Sequence, residues 1–94
     1  MIATGSRPYR PKDVDFTHPR VFNSDTLLRM DFTPGTVAVY GAGVIGCEYA
    51  CMFAALGTKV TVLDARPRVL DFVDREIAEL LVARMRDRGI VMRL

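Results

Sequence analysis

The sequence predicts an α/β fold in which parallel strands alternate with helices. Two short β-branched runs, Thr36–Tyr40 and Lys59–Leu63, are each followed by a segment of helical pattern. A third apolar run, residues 90–92, begins after the second helical segment, so the predicted order is strand–helix–strand–helix–strand. That order is typical of a sheet with parallel strands, because each crossover helix returns the chain to the same edge of the sheet.

The first strand and the first helix are almost wholly apolar. Thr36–Tyr40 has the composition of a parallel strand that is buried on both faces. Residues 44–56 contain one charged side chain, Glu48, and a helix that is apolar all round must be covered on both sides. Gly57 is well placed to end this helix.

The second helix has an amphipathic pattern. Asp71 or Asp74 is expected to cap its start, and Gly89 to follow its end near residue 88. An apolar stripe recurs along it with helical period, which predicts the face that packs on the sheet. The stripe consists of Val73, Ile77, Leu80, Leu81 and Met85.

Residues 1–34 have an irregular pattern that differs from the rest of the chain. Prolines interrupt it repeatedly, and the stretch after Asn23 leaves room for only a turn or two of helix. We therefore divide the chain into a connecting segment, residues 1–34, and part of an α/β domain, residues 35–94.

Composition excludes several classes of function. The chain has 94 residues, half of them apolar, and a net charge of +2 with both signs interspersed, unlike the basic stripe of a nucleic-acid-binding protein. No apolar run approaches the ~18 residues of a membrane span, and the N-terminus lacks a signal-peptide pattern. These observations predict a cytoplasmic protein with neither nucleic-acid nor membrane partners. No spacing of Cys, His or acidic residues indicates a metal site.

A glycine-rich motif lies between the first strand and the first helix. It matches G-x-G-x-x-G in its expected context, after a buried strand, at the start of a helix, and ~20 residues before an acidic residue at the end of the next strand. The first glycine makes the tight turn, the second admits a pyrophosphate to the backbone, and the third allows the helix to approach the strand. The motif therefore predicts a partial Rossmann-type domain that binds NAD(P). Its residues are Gly41, Ala42, Gly43, Val44, Ile45 and Gly46.

Side chains after the second strand bear on which nucleotide is bound. Asp64 is suited to the adenosine ribose hydroxyls of NAD, because a carboxylate accepts hydrogen bonds from a diol and repels a 2′-phosphate. Arg66 and Arg68 follow immediately, where a guanidinium can pair with the 2′-phosphate of NADP, although both fit a solvated loop equally well. The sequence thus does not decide whether NAD or NADP is the bound nucleotide.

Glu48 and the two cysteines also stand out within the first helix. A buried carboxylate needs a partner, so Glu48 is expected to meet a hydrogen-bond donor or a cofactor, or else to stabilise the helix N-terminus. Cys47 and Cys51 share one helical face at a spacing that matches neither a zinc pair nor a redox pair, and we interpret them as small apolar side chains.

Several motifs together resemble one family. Residues 3–8 (A-T-G-S-R-P) are similar to the element that closes the flavin domain of the two-dinucleotide flavoprotein reductases, or pyridine nucleotide-disulfide oxidoreductases. Ser24, Asp25, Leu28 and Pro34, followed by a strand and the glycine motif, resemble the entry of that family into its NAD(P)-binding domain. The resemblance extends over the whole chain and identifies residues 35–94 as the first half of that domain.

The resemblance implies an activity. It points to members that transfer hydride between NADPH and NAD through bound FAD, as homo-oligomers, with Glu48 near the flavin–nicotinamide contact and Gly5 against FAD. Val44 stands where glutathione reductase-like members have a tyrosine, so the gating role of that tyrosine does not transfer. A disulfide reductase of the dihydrolipoamide dehydrogenase type and a non-catalytic dinucleotide-binding module remain alternatives. No catalytic residue is assigned within this segment.

The resemblance also implies that essential parts of the enzyme lie outside this segment. The flavin-binding glycine motif of the family precedes these residues, and the remainder of the NAD(P)-binding domain follows them. We therefore expect the isolated fragment to be inactive. We also expect its apolar first helix to be partly exposed and the fragment to aggregate or to be poorly ordered.

Overall fold

Two strands with the predicted bounds form the centre of the fold. A computed structural model describes residues 1–94 and contains strands β1 (Thr36–Tyr40), β2 (Lys59–Leu63) and β3 (Val91–Arg93). The strands are parallel in the order β1-β2-β3, with Thr36 opposite Lys59 and Thr61 opposite Val91. The predicted α/β class is confirmed, and the third strand begins one residue later than expected.

The connections between the strands are helical, as the sequence predicts. Helix α1 spans Val44–Ala55 and is followed by Gly57, which has a positive φ of 83°. Helix α2 spans Arg75–Asp87, and its N-cap is Asp74 rather than Asp71, with the carboxylate accepting a hydrogen bond from the Glu76 N–H. Gly89 follows α2, also with a positive φ.

The core lies on one face of the sheet. Val60 and Val62 alternate inward along β2, and buried residues of both helices pack in the same cluster, among them Cys47, Ala50 and Met85. Because both crossovers advance the sheet in one direction and share a hand, they place both helices on the same face. The prediction that β1 is buried on both faces is wrong for this structure, since its residues alternate between half-buried and exposed.

The inward face of α2 also differs from the predicted stripe. Ala78 and Met85 are buried, and Leu81 and Val82 pack against the core, whereas Ile77 and Leu80 are more than half exposed. The small Ala78 side chain faces inward where the larger ones were expected. Met85 and Leu81 were predicted correctly.

Helix α1 is only partly covered. Its buried residues are Cys47 and Ala50, while Ile45 and Met52 in the helix and Leu56 at its C-cap are each more than half exposed. Within this structure, the prediction that an apolar helix must be covered on both sides therefore fails, and the prediction that it lies partly exposed is confirmed.

Contacts divide the chain into two units, Met1–Phe32 and Thr33–Leu94. The sheet and both long helices belong to the second unit. The first unit contains a single short 3₁₀ helix, Thr26–Arg29, whose start is stabilised by Asn23: its side-chain oxygen accepts from the N–H groups of Asp25 and Thr26 at 3.0 and 2.9 Å.

Candidate functional site

The turn after β1 requires glycine at its first position. Gly41 has a φ of +119°, a conformation that a side chain strongly disfavours. Its N–H donates to the carbonyl of Leu63 at 2.8 Å, so the turn begins directly at the end of the ladder between β1 and β2. The chain therefore leaves the sheet at the carboxyl edge of the strands, where ligands bind in open parallel sheets.

Gly46 allows α1 to lie against this turn. A Cβ atom at position 46 would collide with the carbonyl oxygen of Gly41 and would lie 3.4 Å from Cγ1 of Val39. The close helix–strand approach that the sequence predicts for this glycine is therefore present. Any larger residue would force helix and strand apart.

The N-terminus of α1 presents backbone donors. Its first backbone hydrogen bond runs from the N–H of Cys47 to the carbonyl of Gly43 at 3.0 Å, so the N–H groups of Val44, Ile45 and Gly46 have no protein acceptor. No acidic residue lies in the first turn to neutralise the partial positive charge. A Cβ built on Gly43 meets no atom within 4 Å, which leaves space for a group to approach the backbone. An anion fits this arrangement.

Ala42, between the two glycines, holds the turn in place. It is fully buried, and its N–H donates to Oδ2 of Asp64 at 2.7 Å. Its carbonyl accepts from the N–H of Leu70 at 3.2 Å and lies 3.7 Å from the Cys47 thiol. The residues that follow β2 thus fix the position of the glycine turn.

Asp64 accepts hydrogen bonds at every available position. Besides the Ala42 N–H, its carboxylate accepts from the backbone N–H of Arg66 at 2.9 Å and from the Arg66 guanidinium, through Nε at 3.0 Å and Nη2 at 2.8 Å. The guanidinium therefore forms a bidentate pair with both carboxylate oxygens. We call this arrangement the Asp64–Arg66 pair.

The Asp64–Arg66 pair fixes the charge of both partners. The hydrogen bond from the Arg66 side chain, with smaller contributions from the N–H groups of Ala42 and Arg66, holds the pKa of Asp64 well below its usual range although the carboxylate is largely buried. The Asp64 carboxylate in turn raises the pKa of Arg66. Asp64 is therefore a carboxylate and Arg66 a guanidinium cation at neutral pH.

The remaining predicted cofactor residues differ in their surroundings. Arg68 is exposed and makes no ion pair within the chain. Glu48 is exposed and has no protein hydrogen-bond donor, so the prediction that burial forces it to find a partner is wrong for this structure. Gly5, in the first unit, is exposed and has a φ of +88°. Their contacts with a nucleotide or flavin stay predictions.

One residue of the site could not be found from the sequence. Leu70 has a positive φ of 48°, and its N–H donates to the Ala42 carbonyl. Leucine rarely adopts this conformation, so nothing in its residue type indicates a role beside the glycine turn. Only the path of the chain after β2 shows it.

The two cysteines have no features of a redox pair. Both are free, Cys47 is buried and Cys51 is half-buried. Burial raises the pKa of the Cys47 thiol, which favours the unreactive protonated form. No cluster of three or more His, Cys, Asp or Glu side chains is arranged to hold a metal ion, and no helix is long and apolar enough to cross a membrane.

Comparison with known proteins identifies the family of this site. The family described as pyridine nucleotide-disulphide oxidoreductase matches residues 1–94. The chain belongs to this family. Use of FAD and NAD(P) is a property of the family, in agreement with the cofactors predicted from the sequence.

Relatives with similar sequences bear the name of a single enzyme activity. The chain is 54% identical over 93 residues to the soluble pyridine nucleotide transhydrogenase of Hahella chejuensis and 53% identical over 93 residues to that of Azotobacter vinelandii. Each match includes 99% of this chain and 20% of the relative. The chain therefore spans about a fifth of the length of these relatives.

Two solved structures of reductases share the fold of this chain. The HOCl-induced flavoprotein disulfide reductase RclA from Escherichia coli is 38% identical, with a TM-score of 0.87 over 95% of this chain and 21% of its own. A ferredoxin reductase from Rhodopseudomonas palustris is 39% identical, with a TM-score of 0.60 over 62% of this chain and 15% of its own. The α/β fold of this chain thus recurs in a solved flavoprotein disulfide reductase.

Proposed function

We propose that this chain is the nucleotide-binding segment of a FAD-dependent oxidoreductase that transfers hydride between NADPH and NAD. The observation that carries the proposal is the juxtaposition at the carboxyl edge of the sheet. The unpaired N–H groups at the start of α1 lie beside open space at Gly43, and the Asp64–Arg66 pair follows the adjacent strand.

Each part of this edge suits a different part of the nucleotide. The pyrophosphate would bind the N–H groups of Val44 and Ile45, where the helix N-terminus favours negative charge. The adenosine ribose would lie toward Asp64, which is held against the turn by the Ala42 N–H. Arg66 and Arg68 offer two cations near that ribose, suited to a 2′-phosphate. A segment with both features fits an enzyme that must accept NAD and NADP.

The segment also suits a flavoprotein. In this proposal residues 1–34 end the flavin domain and connect it to residues 35–94, the first half of the NAD(P)-binding domain, with Gly5 toward FAD and Glu48 toward the flavin–nicotinamide contact. When bound, FAD supplies the hydride chemistry, and the segment binds and orients the nucleotide. The whole enzyme is proposed to be a cytoplasmic homo-oligomer.

A disulfide reductase is the second candidate, because the structural relative with a TM-score of 0.87 bears that name. Such an enzyme needs a reactive cysteine pair beside the flavin. Cys47 and Cys51 do not fit that role, since Cys47 is buried and its pKa is raised. The pair would therefore have to come from the flavin domain.

The test is to purify the complete protein that contains this segment. A transhydrogenase should be yellow with bound flavin and should reduce thio-NAD with NADPH, without a disulfide substrate. Rapid reduction of lipoamide or another disulfide by NADH, with no transfer to thio-NAD, would favour the reductase. A complete protein that binds neither flavin nor nucleotide would contradict both candidates.

A further inference from the structure

The Asp64 carboxylate has no acceptor position left for a ribose. An ionised carboxylate offers about four lone-pair positions. Four hydrogen bonds occupy them: one from the Ala42 N–H, one from the Arg66 N–H, and two from the Arg66 guanidinium. A ribose diol therefore cannot bind Asp64 unless an existing donor leaves.

Of the four donors, only the guanidinium is free to leave. The Ala42 N–H belongs to the fully buried turn, and the Arg66 N–H is fixed by the backbone. The Arg66 side chain is 49% exposed, and its Nη1 already lies 3.5 Å from Oδ1 of Asp71. Asp71, whose side chain is 49% exposed, thus offers the guanidinium a second partner.

We propose that Arg66 determines nucleotide specificity by competing with the adenosine ribose for Asp64. NAD must displace the guanidinium from the carboxylate before its diol can bind there. NADP instead offers its 2′-phosphate to the Nη1 edge of the guanidinium, a charge-assisted interaction that leaves the pair with Asp64 intact. The Arg66 side chain, which favours the binding of NADP, therefore weakens the binding of NAD. This inference rests on the proposed nucleotide site.

The competition explains how an acidic residue and a 2′-phosphate are compatible at one site. An unpaired carboxylate at the end of β2 would repel the phosphate. In the Asp64–Arg66 pair the charge is neutralised, and Arg66 retains one edge, Nη1, directed away from Asp64. Arg68 adds positive charge nearby, but it makes no contact with Asp64 and cannot compete for it.

The experiment measures the Kd of NADH and of NADPH for the complete protein and its variants by nucleotide fluorescence. Arg66→Ala should weaken NADPH about 10- to 100-fold, as expected for losing hydrogen bonds to a charged group. The same variant should bind NADH about two- to fivefold more tightly, because displacing a half-exposed ion pair is no longer required. Opposite shifts from one substitution are the signature of competition.

Two further variants sharpen the test. Arg66→Lys keeps the charge but cannot form the bidentate pair. It should lose less NADPH affinity than Arg66→Ala while still gaining NADH affinity. If Arg66→Ala does not fold, Arg66→Lys takes its place in the test. Arg75→Ala removes the same charge from the surface of α2, where Arg75 pairs only with Glu79, and should change neither Kd by more than twofold.

The outcomes separate this inference from the proposed function. If the wild-type protein binds neither nucleotide, the proposed site is wrong and the inference fails with it. If the wild type binds both but the Arg66 variants leave NADH affinity unchanged or weaker, the site stands and the competition is refuted. If Arg75→Ala reproduces the effect of Arg66→Ala, net charge rather than Asp64 is responsible, which also refutes the competition.

Discussion

The two strand–helix connections of this fold offer different kinds of chemical group to a ligand. The connection from β1 to α1 is a tight glycine turn that offers backbone N–H groups and no side chain beyond Ala42. The connection from β2 to α2 is longer and offers charged side chains, Asp64, Arg66 and Asp71, joined by ion pairs. In the proposed function, the first connection suits any pyrophosphate, whereas the second distinguishes one nucleotide from another.

The two connections also depend on each other. The Asp64 carboxylate and the Leu70 N–H, both from the second connection, hydrogen-bond to the N–H and carbonyl of Ala42 in the first. Asp64, which the proposal assigns to nucleotide specificity, therefore also positions the glycine turn. Substitutions that affect one connection without the other can separate these contributions.

The largest effect is expected from Gly46→Ala, which acts on the first connection. The added Cβ collides with the Gly41 carbonyl, a backbone atom that cannot rotate away, and such overpacking costs about 3 kcal/mol. Improved helix propensity returns about 1 kcal/mol. Urea unfolding of the complete protein should show a net loss of about 2 kcal/mol. Gly35→Ala is the control, since its Cβ meets nothing within 4 Å; equal losses in both variants would contradict the explanation.

Asp64→Ala should show that the second connection supports the first. It leaves the buried Ala42 N–H without an acceptor, which costs about 1–2 kcal/mol of unfolding free energy. Asp71→Ala removes only a 3.5 Å contact between half-exposed groups and should cost less than about 0.5 kcal/mol. Both are measured by urea unfolding. If Asp64→Ala is as mild as Asp71→Ala, the two connections are independent.

The stability that Asp64 provides should depend on pH in one direction. Its pKa is lowered in the folded protein by the Arg66 side chain, so its contribution is fully present above the unfolded carboxyl pKa of about 4. The contribution is lost as the pH falls below that value toward the lower folded pKa. The difference in melting temperature between wild type and Asp64→Asn should therefore shrink between about pH 5 and pH 3. A difference that stays constant or grows would refute this assignment.

The sequence predicted the first connection better than the second, and the reason is physical. Gly41 needs a positive φ and Gly46 a close approach, and only one residue type satisfies either condition, so the sequence specifies the geometry. The bounds of β1 and β2 were likewise evident from short β-branched runs between turn residues.

What the sequence did not predict depends on contacts between distant residues. Asp64 and Arg66 were both identified, but their mutual pairing and the bond from Asp64 to Ala42 are properties of the folded loop. The face that α2 buries includes Ala78, whereas the apolar pattern alone favoured its larger neighbours. The exposure of Glu48 depends on which surfaces cover α1.

Gly43→Asp in the complete protein tests the central claim, that the start of α1 binds the nucleotide pyrophosphate. Aspartate is a good N-cap residue, and Gly43 is the N-cap of α1 with extended backbone, so the melting temperature should be unchanged or slightly higher. The same carboxylate would face the pyrophosphate, and like charges this close should raise the Kd of NADH at least about 100-fold. The neutral Gly43→Asn should lose clearly less. A Gly43→Asp protein that is stable and binds NADH with the wild-type Kd would contradict the account.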